Sequence, residues 1–598
     1  MGIPGLTRTL KPYAVDTTLR GKSVVVDGPA LVHRVWETVM ANQTRASVIL
    51  GHISYQQLVQ AVIDWLDRLR ACGVHVRRIY FDGYLPPRKW ETRRKRLVTQ
   101  SQQMQQLTTH YRATGVKAAH VDPSSSFALH HPTSDAQALP KHAFLVPAAV
   151  EALMQSPDWK SVVRVVPGEA DAFCADDVRQ SGGIVLTADS DLLIEDLGPE
   201  GSVVFFWDLF EKSADGREDI SAQEYTPRDI EARLDLDKSG GLSRLAFELG
   251  SNKISFNQAI EHAASKMFTN PAREMAYEKF LQDHMPEEYI PSDHPVVSVL
   301  STLDPRISEV TIQSLNIQLS KSASVSAPDR TPRGPEHLSM FLPVLIEDHR
   351  RKSAWESSQT IRQLAYGLAQ PPGQETHSTT IEYRTLLSEL GGRRATIPAP
   401  EIMDEWCEQL VTTLDQIESH VTPPELRWLA FAVLQEIQAS SSEDRYPLAL
   451  NALKGAVQQP NKGKRASTYS WDIIHFTAVY QASLYSLRML RQVMEARIAL
   501  SLVKVSDTQQ QLRRRLLGLP SIVEYPAVED SIKLLRKFQE SRCLSAICKV
   551  LGIPIDSFEI PPKQGSKADA EQHASRGNSG GKSTQARSTN PFDILDSI

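Results

Sequence analysis

"KSVVVDG", residues 22–28, sets three valines in a row between a basic start and an Asp-Gly stop. An unbroken apolar run of this length reads as a strand buried on both faces, because a half-exposed strand alternates with polar residues. Outward from it the pattern repeats. "YQQLVQAVIDWLDRLRACG" (55–73) carries apolar residues at helical spacing, with Gly73 as its stop. "VHVRRIYFDG" (74–83) is the next strand. "VVRVV" (162–166), a helix across 169–180 and "GGIVLTADSD" (182–191) follow. Strands alternating with helices predict an α/β fold with a mostly parallel sheet covered by helices on both faces.

The strand runs end alike, in Asp27, Asp82 and the pair Asp189 and Asp191. In an open parallel sheet the C-terminal strand ends share one edge, and ligands bind there. Glu169 and Asp171, in "PGEADAFCADD" (167–177), follow a strand and open the next helix, so they join the same edge. Each acid alone has a plainer reading. An Asp before Gly, such as Asp27 or Asp82, is a turn former or helix cap. Asp176 and Asp177 read as a solvated face or a local salt bridge, and Ala172, Phe173 and Cys174 as packing. Six acids from four segments in one volume are a different matter. They repel one another, and no basic residue lies within the motifs. A divalent cation supplies the missing charge, and oxygen-only donors favour Mg²⁺ or Mn²⁺ over zinc. Two such ions, roughly 4 Å apart, activate a water and steady the leaving oxygen of a phosphodiester.

A basic segment begins four residues past Asp82: "PPRKWETRRKR" (86–96) holds Arg88, Lys89, Arg93, Arg94, Lys95 and Arg96 against Glu91 alone. On a helix Lys89, Arg93 and Arg96 share a face. Such runs are commonly solvated surface, but beside an acidic site a basic face suits a phosphate backbone. Trp90 can pack inward or stack on a base, and the inward reading is preferred.

The remaining composition narrows the classes. The chain has 598 residues, 41% hydrophobic and 23% charged, with a net charge of -5. That excludes a uniformly basic nucleic-acid coat and leaves local patches open. Cys72, Cys174, Cys407, Cys543 and Cys548 form no CxxC pair, so neither a disulfide framework nor a zinc site is expected. No apolar run approaches a membrane span, and no signal peptide is read at the start. "MGIPGLT" fails the myristoylation pattern at Leu6.

The motifs "MGIPGL", "VVVDGPAL", "YFDGYLPPRK", "PGEADAFCA" and "TADSDLLI" resemble, in order and character, those of the XPG/flap-endonuclease family of structure-specific nucleases. The resemblance covers residues 1–195. It implies a PIN-like fold and Mg²⁺ or Mn²⁺, two ions, held by Asp27, Asp82, Glu169, Asp171, Asp189 and Asp191. It implies that Lys89 and Arg96 contact the scissile phosphate, and that Gly2, Arg88, Lys89, Arg93 and Arg96 meet nucleic acid. It further implies DNA with branched or single-strand/double-strand junctions as substrate, repair as the setting, and a nuclear location, otherwise cytoplasmic. "RRKSAWESSQTIRQLAYGLA" (350–369) is similar to a segment of the Asteroid-type subfamily.

The sequence departs from the family at "LGSNKIS", where Asn252 stands in place of a metal-binding Asp. Glu248, one turn earlier, is a candidate substitute. The Gly-rich hairpin that grips duplex DNA is replaced by the helical "FNQAIEHAASKM". These departures keep a second expectation open: a nuclease-like scaffold with weak or no catalysis that binds RNA, DNA or protein partners.

The expected organisation is a nuclease domain in two halves, 1–120 and 143–235, around an irregular loop at 121–142. A helical extension spans 236–320 and a linker 321–336. A largely helical region at 337–560 is available to protein partners, and a disordered tail covers 561–598. No membrane partner is expected.

Overall fold

The computed structural model describes residues 2–3, 5–41, 53–110, 129, 141–214, 217–251, 254–265, 268, 270–284, 290, 294–315, 337–370, 378–384, 391–458, 469–500, 505–552 and 554. Asn252, the 321–336 linker, the tail from 561 and nearly all of the 121–142 loop lie outside the described residues.

Seven strands form the main sheet: β1 (Val15–Thr18), β2 (Ser23–Asp27), β3 (His75–Asp82), β4 (Val163–Val166), β5 (Gly183–Thr187), β6 (Gly201–Ala214) and β7 (Arg217–Tyr225). Their order is β1-β7-β6-β5-β2-β3-β4. From β6 to β4 every pairing is parallel, while β7 and β1 add an antiparallel edge. The β6–β7 hairpin and the β1 edge are not foreseen from the sequence pattern.

The three valines explain why β2 is central. Val24 and Val26 belong to one apolar cluster, Val25 to the other, and all three are fully buried. Alternate side chains of one strand thus knit two helical layers to the sheet. One layer holds α2 (Gly28–Ala41), α3 (Tyr55–Ala71) and α5 (Leu145–Gln155); α4 (Trp90–His110) lies between the last two in the chain. The opposite layer holds α1 (Leu6–Leu10) and α6 (Ala170–Ser181). Helix α3 starts on a capping box, Ser54 with Gln57, which satisfies two of its free N–H groups. Chain direction reverses at β2: β3 and β4 build outward on one side, β5 and β6 on the other. The crevice at that reversal is where an open α/β sheet binds ligands.

Past β7 come α7 (Pro227–Arg233), α8 (Gly241–Ser251), α9 (Phe256–Ala264), α10 (Pro271–His284), α11 (Pro295–Leu300) and α12 (Pro305–Ser314). The C-terminal region is mostly helical, around the 29-residue helix Trp471–Ala499. It also holds a small three-stranded sheet, Leu338–Phe341, Thr379–Tyr383 and Arg393–Thr396. Strands of four or five residues are too short to show a period, so the sequence gives no sign of them.

This region packs directly on the α/β part. Phe144 stacks on Tyr485 (centroids 4.6 Å apart) and meets Trp355 and Tyr525 edge-on. Arg488 donates to Glu151 at 2.6 Å, nearly buried. Helix α4 is held as well: Arg93 makes two bonds to Glu309 of α12 (2.9 and 2.7 Å) and lies over the Phe341 ring. Two-pronged Arg–carboxylate pairing fixes orientation as well as distance. Replacing Glu309 by Ala is expected to cost about 1–3 kcal/mol, since a half-buried guanidinium loses its partner. Thermal melting checks this, and limited proteolysis should show faster cutting within residues 90–110.

Candidate active site

The sheet reversal gathers the expected acids. Asp27 ends β2 with 4% of its surface exposed. Its carboxylate accepts from Thr187 Oγ1 (2.7 Å) and from the Ala30 amide (3.1 Å). Asp82 ends β3 and accepts the Ala170 amide (2.7 Å), so it caps helix α6 from another segment. Glu169 stands just before α6 and Asp171 in its first turn. Asp189 follows β5 and caps its own short turn by accepting the Asp191 amide at 3.2 Å. The plain reading of Asp27 and Asp82 as caps is thus correct as well. Capping holds their backbones while leaving oxygens turned to the crevice.

Asp171 shows how strained the cluster is. Among the described residues it accepts no hydrogen bond and forms no ion pair. Its pKa stands well above the ordinary value, from burial first and then from Asp27, Asp189, Asp82 and Glu169. Burial raises Asp27 to about 7, with Asp82 and Asp189 adding to it against the Thr187 and Ala30 bonds. Asp82 is solvent-exposed, yet the crevice walls desolvate it and Glu169 repels it, raising it to about 6. Asp191 is raised to about 6 by burial and then by Asp189, and its Oδ1 is buried without a partner. Asp27, Asp82, Glu169 and Asp189 thus all act electrostatically on Asp171, and Asp189 acts on Asp191.

Part of their counter-charge comes from the chain, from the basic segment outside the four acidic motifs. Lys89 Nζ donates to Glu169 at 2.7 Å. Arg96 makes no direct bond to any described residue, and the charges of Asp189 and Asp82 act on it. His284, at the end of α10, brings Nε2 to 3.7 Å from Asp191. Glu195, a seventh acid, is raised to about 7 by burial and then by Asp191 and Glu169. Sequence reading misses both. Glu195 lies four residues past Asp191, a usable clue, whereas His284 lies nearly a hundred residues away with none.

Other expectations are corrected. Arg93 does not share the open face of Lys89 and Arg96, because Glu309 and Phe341 hold it. Arg88 donates to the Gln282 carbonyl (2.6 Å) and lies 4.0 Å from Glu169, so it borders the site without facing a free surface. Asp177 is no surface acid: it takes Arg77 (2.6 Å) and the Tyr80 hydroxyl (2.8 Å). Asp176 does form the local pair expected, with Arg179. Glu248 is fully buried among Arg244, Arg273 and His262 and does not reach the acids. Trp90 packs inward, donating to the Leu85 carbonyl (3.1 Å) with its edge on Phe341. Gly2 sits against Asp189 and Ser190 at φ 110°, where a Cβ would strike both, so only glycine fits. The Ile3 amide bonds Ser190 Oγ (2.8 Å), tying the chain start to the crevice.

The donor set suits a hard divalent cation: carboxylate oxygens, one buried and unpartnered, at depressed acidity. Among the described residues no three His, Cys, Asp or Glu side chains close on one point.

Residues 141–397 match a protein-family profile described as XPG domain containing. The match takes in Glu169, Asp171, Asp189, Asp191 and Glu195 and leaves out Asp27, Asp82, Lys89 and Arg96. Among solved structures, one titled the catalytic core of Rad2 in complex with DNA substrate is similar at 17% identity. It covers 50% of this chain and 84% of its own, with a TM-score of 0.27. No curated protein matches the sequence. Over residues 141–397 the chain is thus similar to the XPG-domain profile, on a mostly parallel α/β sheet; the Asteroid-type likeness finds no counterpart in these comparisons. Among the described residues no helix is long and apolar enough to cross a membrane.

The raised acids carry a pH signature. The folded chain keeps a proton on Asp27 up to about pH 7, and on Asp82 and Asp191 up to about pH 6. The unfolded chain sheds those protons near pH 4. Between these limits the folded form binds more protons, so stability falls as pH rises. In EDTA, melting temperature should drop from pH 5 to pH 8. Asp171→Asn should flatten that slope, and added Mg²⁺ should raise the pH 8 value.

Proposed function

We propose that the chain is a divalent-metal-dependent nuclease that hydrolyses phosphodiester bonds in branched or overhanging DNA. The observation that carries this reading is Asp171, crowded by four carboxylates in the crevice of a parallel sheet and without a partner among the described residues. Asp27, Asp82, Glu169, Asp171, Asp189 and Asp191 would hold Mg²⁺ or Mn²⁺. When bound, such ions lower the pKa of an attacking water and stabilise the departing oxygen.

The chain's own groups do the rest. Arg96 is a free guanidinium beside the acids and suits two oxygens of a phosphate. Lys89 is tied to Glu169; a phosphate entering the crevice competes for Lys89 and frees Glu169 as a ligand. Thr187 and the Ala30 amide hold Asp27 so that its carboxylate keeps one orientation as charge builds. His284 Nε2, 3.7 Å from Asp191, adds a nitrogen beside the acids. Gly2 brings the chain start to Asp189 and Ser190, where a nucleic-acid backbone entering the crevice would pass it.

A scaffold that binds RNA, DNA or protein with little catalysis is the second reading, favoured by the Lys89–Glu169 pair, which already satisfies one expected ligand. Cleavage of flap, overhang and hairpin DNA with Mg²⁺ or Mn²⁺ separates the two. Wild type should cut, and Asp189→Ala should lose at least about 100-fold in rate, the scale of removing a group that holds transition-state charge. Equal background cutting by both proteins leaves the scaffold reading.

A further inference from the structure

Arg96 also lines a cavity of about 580 Å³. Pockets of ~300–1,000 Å³ commonly take a small ligand. Five separate segments wall it. Helix α2 gives His33, α4 gives Arg96, the stretch after the 121–142 loop gives Lys141, α12 gives Arg306, and Leu342–Val344 close it with apolar side chains. The last two come from sequence that packs onto the nuclease-like part from beyond residue 300.

Among the described residues no Asp or Glu lines this cavity. Arg93 and Lys95, also on its wall, are neutralised by Glu309 and Glu91. Lys141 and Arg34 share one acid, Glu37, at 3.6 and 3.0 Å. Arg306 makes only a long 3.5 Å contact to the Ala143 carbonyl, and Arg96 has no direct partner among the described residues. His33 sees the excess: burial first, then Lys141, Arg306, Arg96 and Arg34, hold its pKa well below the ordinary value, and its Nδ1 has no partner. Collected cations without acids, around a void, call for an anion. A dianionic phosphate monoester matches that surplus better than a singly charged diester, and Leu342–Val344 add an apolar wall that a charged strand gains nothing from.

We propose that this cavity seats the terminal phosphate of a nucleic-acid strand, held by Arg306, Lys141 and His33, while Arg96 stands between it and the carboxylates. The assignment rests on the nucleic-acid reading above and adds an end-sensing subsite to it. A strand whose end is anchored here enters the crevice at a fixed distance from that end, so the cut would be counted from the phosphate.

The test is binding, read by fluorescence anisotropy in EDTA so that no cleavage enters. Short overhang oligonucleotides carry a 5′-phosphate, a 3′-phosphate or hydroxyl ends. One phosphorylated form should bind roughly tenfold tighter than the hydroxyl form, the lower range for a charged hydrogen-bonded contact. Arg306→Gln should bring that ratio to within about twofold while hydroxyl-ended binding holds, on the same contact scale. Lys141→Gln serves as the second variant should Arg306→Gln melt below wild type. Equal affinity for all ends, or a preference that survives both substitutions, overturns the proposal. A nucleoside monophosphate binding as tightly as the phosphorylated strand also overturns it, since the cavity would then be a free-nucleotide site. End discrimination without any cutting keeps this subsite and removes the hydrolytic reading; cutting without discrimination does the reverse.

Discussion

Mutual repulsion among carboxylates at one sheet edge is the constraint on which the rest of this structure turns. Strand β2 is buried on both faces, so its end, Asp27, cannot swing out to water. Asp82 is held by the helix it caps, and Asp189 by its own turn. Each acid is fixed for a local reason, and the sum of those reasons is an uncompensated cluster. An acid in that position either keeps a proton, finds a cation from the chain, or waits for a cation from solution. All three have a counterpart here: the raised pKa of Asp27 and Asp171, Lys89 on Glu169, and the Asp191 Oδ1 that is buried without a partner among the described residues.

The C-terminal half bears on the same crevice. It grips α4 through Glu309 and Phe341 and covers part of the basic wall behind Arg96. The buried pair Arg362–Glu382, with Tyr366 on the same carboxylate, keeps the small sheet and the helix Gln359–Ala369 in fixed relation. Tyr383 of that sheet stacks on Phe341 (4.6 Å). Rigidity there therefore reaches α4 through direct contacts, and α4 carries Arg96. The guanidinium beside the acids is placed by packing that lies hundreds of residues away in the chain.

What could be read from the sequence follows from the range of the forces involved. Unbroken valine runs and Asp-terminated strands are local patterns, so the parallel sheet, its edge and the six acids were legible. The plain capping role of Asp27 and Asp82 was legible for the same reason. Lys89 meeting Glu169, Arg93 meeting Glu309 and His284 meeting Asp191 join residues 80, 216 and 93 positions apart, and no periodicity encodes such pairs. The basic run looked uniform as text. Folding divides it into a held residue, Arg93, a tied one, Lys89, and a free one, Arg96. Asp177 was misjudged because its helix position suggested water, while Arg77 and Tyr80 approach from β3. The four- and five-residue strands beyond residue 337 and the antiparallel sheet edge were hidden by shortness and by pairing that only the fold reveals.

The central claim is that the carboxylate cluster binds divalent cations. Titrating the full chain with Mn²⁺ and counting bound ions by electron paramagnetic resonance tests it without substrate or turnover. The account predicts saturable binding of one to two Mn²⁺ per chain at pH 8, competed by Mg²⁺, weakening as pH falls through 6, and lost in Asp171→Asn. Wild-type protein that binds no Mn²⁺ above the level of Asp171→Asn would contradict it.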